Sequence, residues 1–332
     1  MRQDACPSPD GYIGRSPEGL PVGEGHEVGL FAAHGAARRP ARRQRGFTIV
    51  ELVIVIVILG VMAATLTIFF RPAFDGYLGT RQRADLLEQA DAALRRMQRD
   101  IRVAVPNSIR APDVACFELV PTSAGGRFRK GPDTVNDSAA GCTPSATCAA
   151  PVDPAAAPTL FDVLTPLASV PATGDWVVVD NQNPGDVYAG TNRAALSAIT
   201  TPAATQGVHR LAVGASPFPQ GYDGGRFVVV PAAQAAVFYV CSGADGTLDA
   251  NGNGKGTLFR LKSYGFNAGA PSACPSTAGA DVLASRVRSC RFVYDPNQGA
   301  TQQNGFVSLQ LELARGGETA SLVLGAHVAN TP

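Results

Sequence analysis

From Val53 to Phe70 the chain carries no charged side chain. Counted from Phe47, this stretch would be about 36 Å long as a helix, enough to cross a hydrocarbon layer ~30 Å thick. Arg38, Arg39, Arg42, Arg43 and Arg45 precede it, a basic flank that holds the N-terminal end on the cytoplasmic side. One acid interrupts the pattern. Glu51 stands about a turn into the expected helix, and a carboxylate at mid-membrane costs roughly 2.5–3.5 kcal/mol on insertion scales. A chain that keeps an acid there is expected to find a partner for it.

Two plain readings compete for this segment. One is a simple signal anchor. The other is a secretory signal cut after Val61-Met62-Ala63, with the paired arginines hinting at twin-arginine export; such signals have a shorter apolar region and rarely open on Gly-Phe-Thr and an acid. The stretch Gly46-Phe47-Thr48-Ile49-Val50-Glu51-Leu52 instead resembles the class III signal of type IV prepilins. That resemblance implies cleavage after Gly46 by a prepilin peptidase, N-methylation of Phe47, and a role for Glu51 in subunit assembly. In a filament core Glu51 would pair with the Phe47 amine of an adjacent subunit, and losing one partner of such a buried pair costs on the order of 3–5 kcal/mol.

Charge excludes a nucleic-acid footprint. Residues 1–46 hold seven of the 28 basic and five of the 27 acidic side chains, leaving 21 and 22 in the rest, with no concentrated basic face. Charged residues are sparse at 17%, against 36 Gly and 25 Pro, which favours a loop-rich extracytoplasmic domain. Of the seven cysteines, Cys6 precedes the cleavage point; Cys116, Cys142, Cys148, Cys241, Cys274 and Cys290 follow the apolar run. An even set in an oxidising compartment reads as up to three disulfides. Cys142 with Cys148 is favoured by the short loop between them, and Cys241 with Cys290 by the strand-like runs around each. The remaining connectivity is open. No C-x-x-C occurs, and His209 and His327 are the only histidines past Gly46, so a metal reading is weaker and no cofactor is implied.

Beyond Arg71-Pro72, where a kink or local unwinding is expected, a helical period resumes. Leu87, Ala90, Leu94, Met97, Ile101 and Ala104 share one face. Asp85, Glu88, Asp91, Arg95, Arg99 and Arg102 lie on the other, with Glu88 and Asp91 as charge partners for Arg95. Pro106 ends the helix. The period then becomes two. Phe117–Val120, Trp176–Val179, Phe227–Val230, Val237–Val240, Thr257–Tyr264, Val287–Tyr294, Phe306–Leu313 and Ala320–Val328 read as strands, and Gly316-Gly317 as a hairpin turn. Alternation in the last two strands suits an antiparallel sheet buried on one face beneath the helix. Ser138–Pro158 shows no core pattern and reads as surface loop.

The expected fold is α+β, a long N-terminal helix packed on an antiparallel sheet, as in the type IV pilin-like class. The resemblance extends further, through Phe69–Tyr77, Ala92–Met97, Ala104–Arg110 and Cys290–Asn330, which look like the MshO-type minor pilin of the mannose-sensitive haemagglutinin (MSHA) pilus. It implies a cleaved leader (1–46), a transmembrane and filament-core helix (47–70), an amphipathic helix (71–105) and a β-rich periplasmic or extracellular domain (106–332). Residues 1–37 are unlike a short basic leader, so translation is expected to start downstream of Met1. The implied setting is the bacterial inner membrane, single-pass, with incorporation into a pilus. The implied partners are the prepilin peptidase, major and other minor pilins, and the inner-membrane assembly machinery. A minor pseudopilin of a type II secretion system is the rival reading. No enzyme motif is found: G-x-S-x-G is absent and neither histidine sits in a recognisable pattern. One loop offers a calcium reading, because Asp249, Asn251 and Asn253 follow the first half of an EF-hand with Asp245 nearby, although Arg260 stands where the loop's Glu belongs.

Overall fold

The structure, a computed structural model, describes residues 46–153, 157–215, 218, 225–298 and 304–330. Of the expected leader, only Gly46 falls among the described residues. Between Ala63 and Ala64 the chain divides into two compact units.

Helix α1 spans Ile49–Arg102. It does not break at Pro72, which lies inside it; proline removes its own amide from the ladder, and the turns on either side keep theirs. Every residue from Gly46 to Leu78 is exposed. Further along, Leu86, Ala90, Ala93, Leu94, Met97 and Ile101 are buried. The spacing argument places Leu87 on this face, yet Leu87 is exposed and Leu86 takes the position. The four-residue step from Leu94 to Ala90 continues back to Leu86, so the stripe does not change pitch there. Arg95 Nε pairs with Asp91 Oδ2 at 2.6 Å and not with Glu88, which lies two turns away.

The strands follow in order: β1 (Arg110–Asp113), β2 (Cys116–Leu119), β3 (Ala124–Arg127), β4 (Leu160–Val163) and β5 (Trp176–Val179). After a short helix α2 (Asp186–Ala189) come β6 (Arg193–Thr200), β7 (His209–Val213), β8 (Arg226–Val230), β9 (Val237–Ser242) and β10 (Gly256–Leu261). Three long strands complete the described fold: β11 (Asp281–Gln298), β12 (Asn304–Arg315) and β13 (Glu318–Ala329). Strand β10 stops short of Tyr264 because Ser263 adopts a left-handed backbone, φ 62°, which an extended strand cannot continue through.

An antiparallel sheet of order β1-β2-β9-β10-β11-β12-β13 forms the larger layer. The buried stripe of α1 packs on it with Phe117, Leu119, Tyr239, Leu258, Phe292 and the inward side chains of β12. Val307, Leu309, Leu311 and Leu313 are all buried, while Ser308, Gln310 and Glu312 are not. Gly316 and Gly317 turn the chain with φ of 58° and 84°, a pair of left-handed positions that glycine accepts without strain.

Residues 121–236 build something the strand pattern does not reveal. Strands β3-β8-β5-β6-β7-β4 form a six-stranded antiparallel sheet. Its ends meet: Leu164 N–H donates to Arg127 O at 2.8 Å, Arg129 N–H to Asp162 O at 2.9 Å, and Phe128 bridges Val163. The sheet is therefore a closed barrel, filled by Phe128, Phe161, Val177, Leu196, Leu211, Phe218 and Phe227. It is inserted between β2 and β9, which pair directly with each other. Part of the Ala/Pro-rich tract also enters this core. Ala150 N–H donates to Asp162 Oδ2 at 2.7 Å and Val152 N–H to Arg129 O at 2.8 Å, so Cys148 to Ala150 and Val152 are buried rather than on the surface.

Candidate processing and assembly site

Gly46, Phe47 and Thr48 precede α1, lie outside regular structure and are exposed. A peptide bond in such a segment is open to a protease. A Cβ built on Gly46 would meet nothing within 4 Å. Among the described residues the fold therefore makes no demand for glycine here.

Thr48 starts the helix. Its Oγ1 accepts the Glu51 backbone N–H at 3.2 Å, and its carbonyl accepts the Leu52 N–H at 3.1 Å. This is one half of a capping box, the S/T-x-x-E arrangement that satisfies a free amide of the first turn. The signal was present in the sequence as Thr48-Ile49-Val50-Glu51. Glu51 occupies the first turn, where the helix dipole favours a negative charge. Its carboxylate has no partner among the described residues and is exposed, so it is free to receive a cation from elsewhere. A free amine at Phe47 would lie about 6 Å away along the axis.

The cysteines are placed within the second unit. Cys142 is bonded to Cys148, Cys241 to Cys290, and Cys116 to Cys274, with Cα separations of 6.1, 6.6 and 5.7 Å. The last pair joins β2 to the loop after β10 across 158 residues, a distance no local spacing could reveal.

Of the calcium candidates, Asp245, Asp249 and Asn253 are engaged in hydrogen bonds of their own turn. Asp249 Oδ1 accepts the N–H groups of Asn251 and Asn253, both at 2.8 Å, and its Oδ2 accepts Asn253 Nδ2 at 3.1 Å. These bonds from Asn253 hold the Asp249 carboxyl below the usual carboxylate range. Asp245 Oδ1 accepts the Thr247 hydroxyl at 2.6 Å, and Lys255 Nζ stands 3.8 Å from Asp245. Asn253 Oδ1 in turn accepts the Gly316 N–H at 3.2 Å, so these bonds tie the turn to itself and to the β12–β13 hairpin. Among the described residues no group of three His, Cys, Asp or Glu is arranged to hold a metal.

Three buried ionic clusters have no counterpart in the sequence reading. On α1, Asp100 Oδ2 accepts Arg260 Nη2 at 2.8 Å and the Tyr239 hydroxyl at 2.6 Å. Burial pushes the Tyr239 phenol well up, and the Asp100 charge adds to the rise. Arg110 Nη2 reaches Glu118 at 2.5 Å while its guanidinium lies 3.4 Å over the Tyr188 ring. In the barrel, Arg210 Nε pairs with Asp162 at 2.5 Å and its Nη1 holds the Ser145 carbonyl at 2.6 Å, fixing the Cys142–Cys148 loop. A signal existed for Asp100 alone: it lies three residues past Met97, at core spacing on the buried face.

A family model described as the prokaryotic N-terminal methylation motif matches residues 41–67. No curated protein and no solved structure matches the chain. The matched span contains Gly46, Phe47, Thr48 and Glu51, and it continues into the one helix among the described residues long and apolar enough to cross a membrane. This combination supports a type IV pilin-like or pseudopilin protein with a single membrane-anchoring helix. The motif implies processing by a prepilin peptidase and assembly as a pilin.

Proposed function

We propose that this chain is a minor pilin of an MSHA-type type IV pilus, cut between Gly46 and Phe47, methylated on Phe47, and assembled through α1 with Glu51 taking the amine of a neighbouring subunit. The observation that carries the reading is the exposed Gly46-Phe47-Thr48 segment leading into an apolar helix whose first-turn acid has no side-chain partner among the described residues. The role is structural rather than enzymatic, and the soluble domain lies on the periplasmic side. The MSHA-type assignment draws on the sequence resemblance around Phe69–Tyr77, Ala104–Arg110 and Cys290–Asn330.

A place in an initiating or tip complex draws on the barrel. An insertion of residues 121–236 makes a bulky subunit for a densely repeated shaft and suits a subunit present in few copies. The test is deletion of the gene followed by counting surface pili. Loss of most pili, restored by the intact gene, is expected; normal pilus numbers with a defect in protein export would favour the type II pseudopilin reading instead.

A further inference from the structure

Residues 121–236 carry five arginines, Arg127, Arg129, Arg193, Arg210 and Arg226, and the fold engages three of them. Arg210 pairs with Asp162. Arg129 stands 3.5 Å from Asp133 and donates to the carbonyls of Thr205 and Gln206. Arg193 lies over the rings of Trp176 and Phe266 and donates to Val187 O at 2.8 Å. Arg127 and Arg226 are exposed, and among the described residues neither guanidinium has an ion pair, a hydrogen bond or an aromatic ring.

The register sets these two face to face: in the antiparallel pair of β3 and β8, Arg127 stands opposite Arg226. Phe128 N–H donates to Gly225 O at 2.7 Å, so Phe128 and Gly225 are a hydrogen-bonded pair. Arg127 and Arg226, one step along, are a non-bonded pair, the kind whose side chains lie closer together. Phe128 and Phe227 fill the barrel, so their neighbours Arg127 and Arg226 leave from its outer face. Like charges directly opposite are destabilising, and the fold gains nothing here that a neutral residue would not supply.

Beside the pair lies a groove of about 360 Å³, lined by Gly125, Gly126, Arg127, Thr165, Arg226 and Val228. It holds neutral donors as well. Thr165 Oγ1 accepts the Arg127 N–H at 3.0 Å, which leaves the hydroxyl proton free to donate. Gly125, two residues before Arg127, turns its own N–H to the same side, where no described residue accepts it. Asp180 shares a neighbouring cavity with Arg226, but it accepts Gln182 Nε2 at 2.6 Å and forms no ion pair with the arginine.

We propose that Arg127 and Arg226 clamp a phosphate dianion in this groove, as inorganic phosphate or as the monoester head of a larger molecule. Two guanidinium forks bring two positive charges, and a phosphate monoester carries about −1.5 to −2 at neutral pH. Its three terminal oxygens serve both forks at once, whereas a carboxylate has two oxygens and one charge, which a single fork satisfies. The Thr165 hydroxyl and the Gly125 N–H complete the donor set. Every residue of the site lies in the second unit, so the site goes beyond the pilin reading and does not rest on it.

The test is thermal unfolding and equilibrium dialysis of the full-length chain in non-ionic detergent with inorganic phosphate, glycerol 3-phosphate or acetate, at ionic strength matched with sodium chloride. Phosphate is expected to bind and raise the Tm, and acetate to do neither. Arg127→Gln and Arg226→Gln should each weaken phosphate binding roughly tenfold. Their Tm without phosphate should be unchanged or higher, since the opposed charges are gone. Arg127→Lys keeps the charge, loses the fork and should also bind more weakly. Glycerol 3-phosphate bound as tightly as phosphate assigns the groove to an esterified head group; its rejection assigns the groove to the free ion. No binding of phosphate, equal binding of acetate, or an affinity indifferent to Arg127→Gln and Arg127→Lys would overturn the proposal. A lower Tm in both Gln variants without phosphate would show the arginines serving the fold, and would overturn it as well.

Discussion

Two carboxylates on one helix mark two regimes of constraint. Asp100 is buried and accepts hydrogen bonds from Arg260 and Tyr239, so its identity is explained entirely by groups within the same fold. Glu51 is exposed and, among the described residues, engages nothing beyond its own backbone turn. The same division runs through the residues around them. Leu86, Ala90, Leu94 and Met97 are chosen by the sheet they cover; Gly46 and Phe47 are exposed, and among the described residues nothing crowds Gly46. A residue type that the fold does not need, held at a position with a recognisable chemistry, points to a partner outside the chain.

The comparison breaks most sharply at Gly46. Gly46→Val is expected to leave thermal stability within about 0.5 kcal/mol of the parent, as for surface changes in general, while abolishing cleavage, so that the membrane-extracted chain keeps residues upstream of Phe47. Asp100→Ala should do the reverse. It strands the Arg260 guanidinium in the core and is expected to cost about 3–5 kcal/mol in denaturant unfolding without moving the cleavage point. Glu51→Ala should match the parent in unfolding to within about 0.5 kcal/mol and be cleaved normally, yet fail to enter filaments, as judged by sheared-pilus immunoblots.

Smaller effects sharpen the picture inside the second unit. Replacing Cys241 and Cys290, 49 residues apart, should cost about 4 kcal/mol on chain-entropy grounds, against about 2 kcal/mol for Cys142 and Cys148, which are 6 apart. Both can be read from paired Cys→Ala unfolding curves under oxidising conditions. The least effect is expected at Asp133. The Asn136 side chain, then backbone amides of Asn136 and Val135, hold its carboxyl below the usual carboxylate range. A depressed native value contributes stability that is present above the unfolded-state pKa, about 3.9, and is lost as pH falls through the lower native value. Asp133→Asn should therefore flatten the acid limb of the stability curve slightly and leave the neutral region alone.

How far the sequence was readable follows the same division. The N-terminal motif was legible because it is a linear signal: Gly46, Phe47 and Glu51 fall by position alone inside the span that the methylation-motif family matches. The C-terminal hairpin was legible because Val307, Leu309, Leu311 and Leu313 keep strict period two up to a Gly-Gly turn. The barrel was not. Strands β3 and β4 are four residues each, too short to show a period, and Gly125-Gly126 in β3 reads as turn rather than strand. Their pairing depends on contacts between residues far apart in the chain, such as Arg127 with Leu164. At Pro72 the local unwinding expected from a missing amide is not seen, and α1 runs on as the one long helix the pattern implied. Asp100 stood at core spacing, but its partners Tyr239 and Arg260 are visible only once β9 and β10 lie beneath the helix.

The account is tested most directly at the N-terminus of the full-length protein extracted from its native membrane, by intact-mass and peptide mass spectrometry. It predicts that the chain begins at Phe47 and carries a single methyl group on that amine. A chain beginning at Ala64, or one still extending upstream of Gly46, would contradict it.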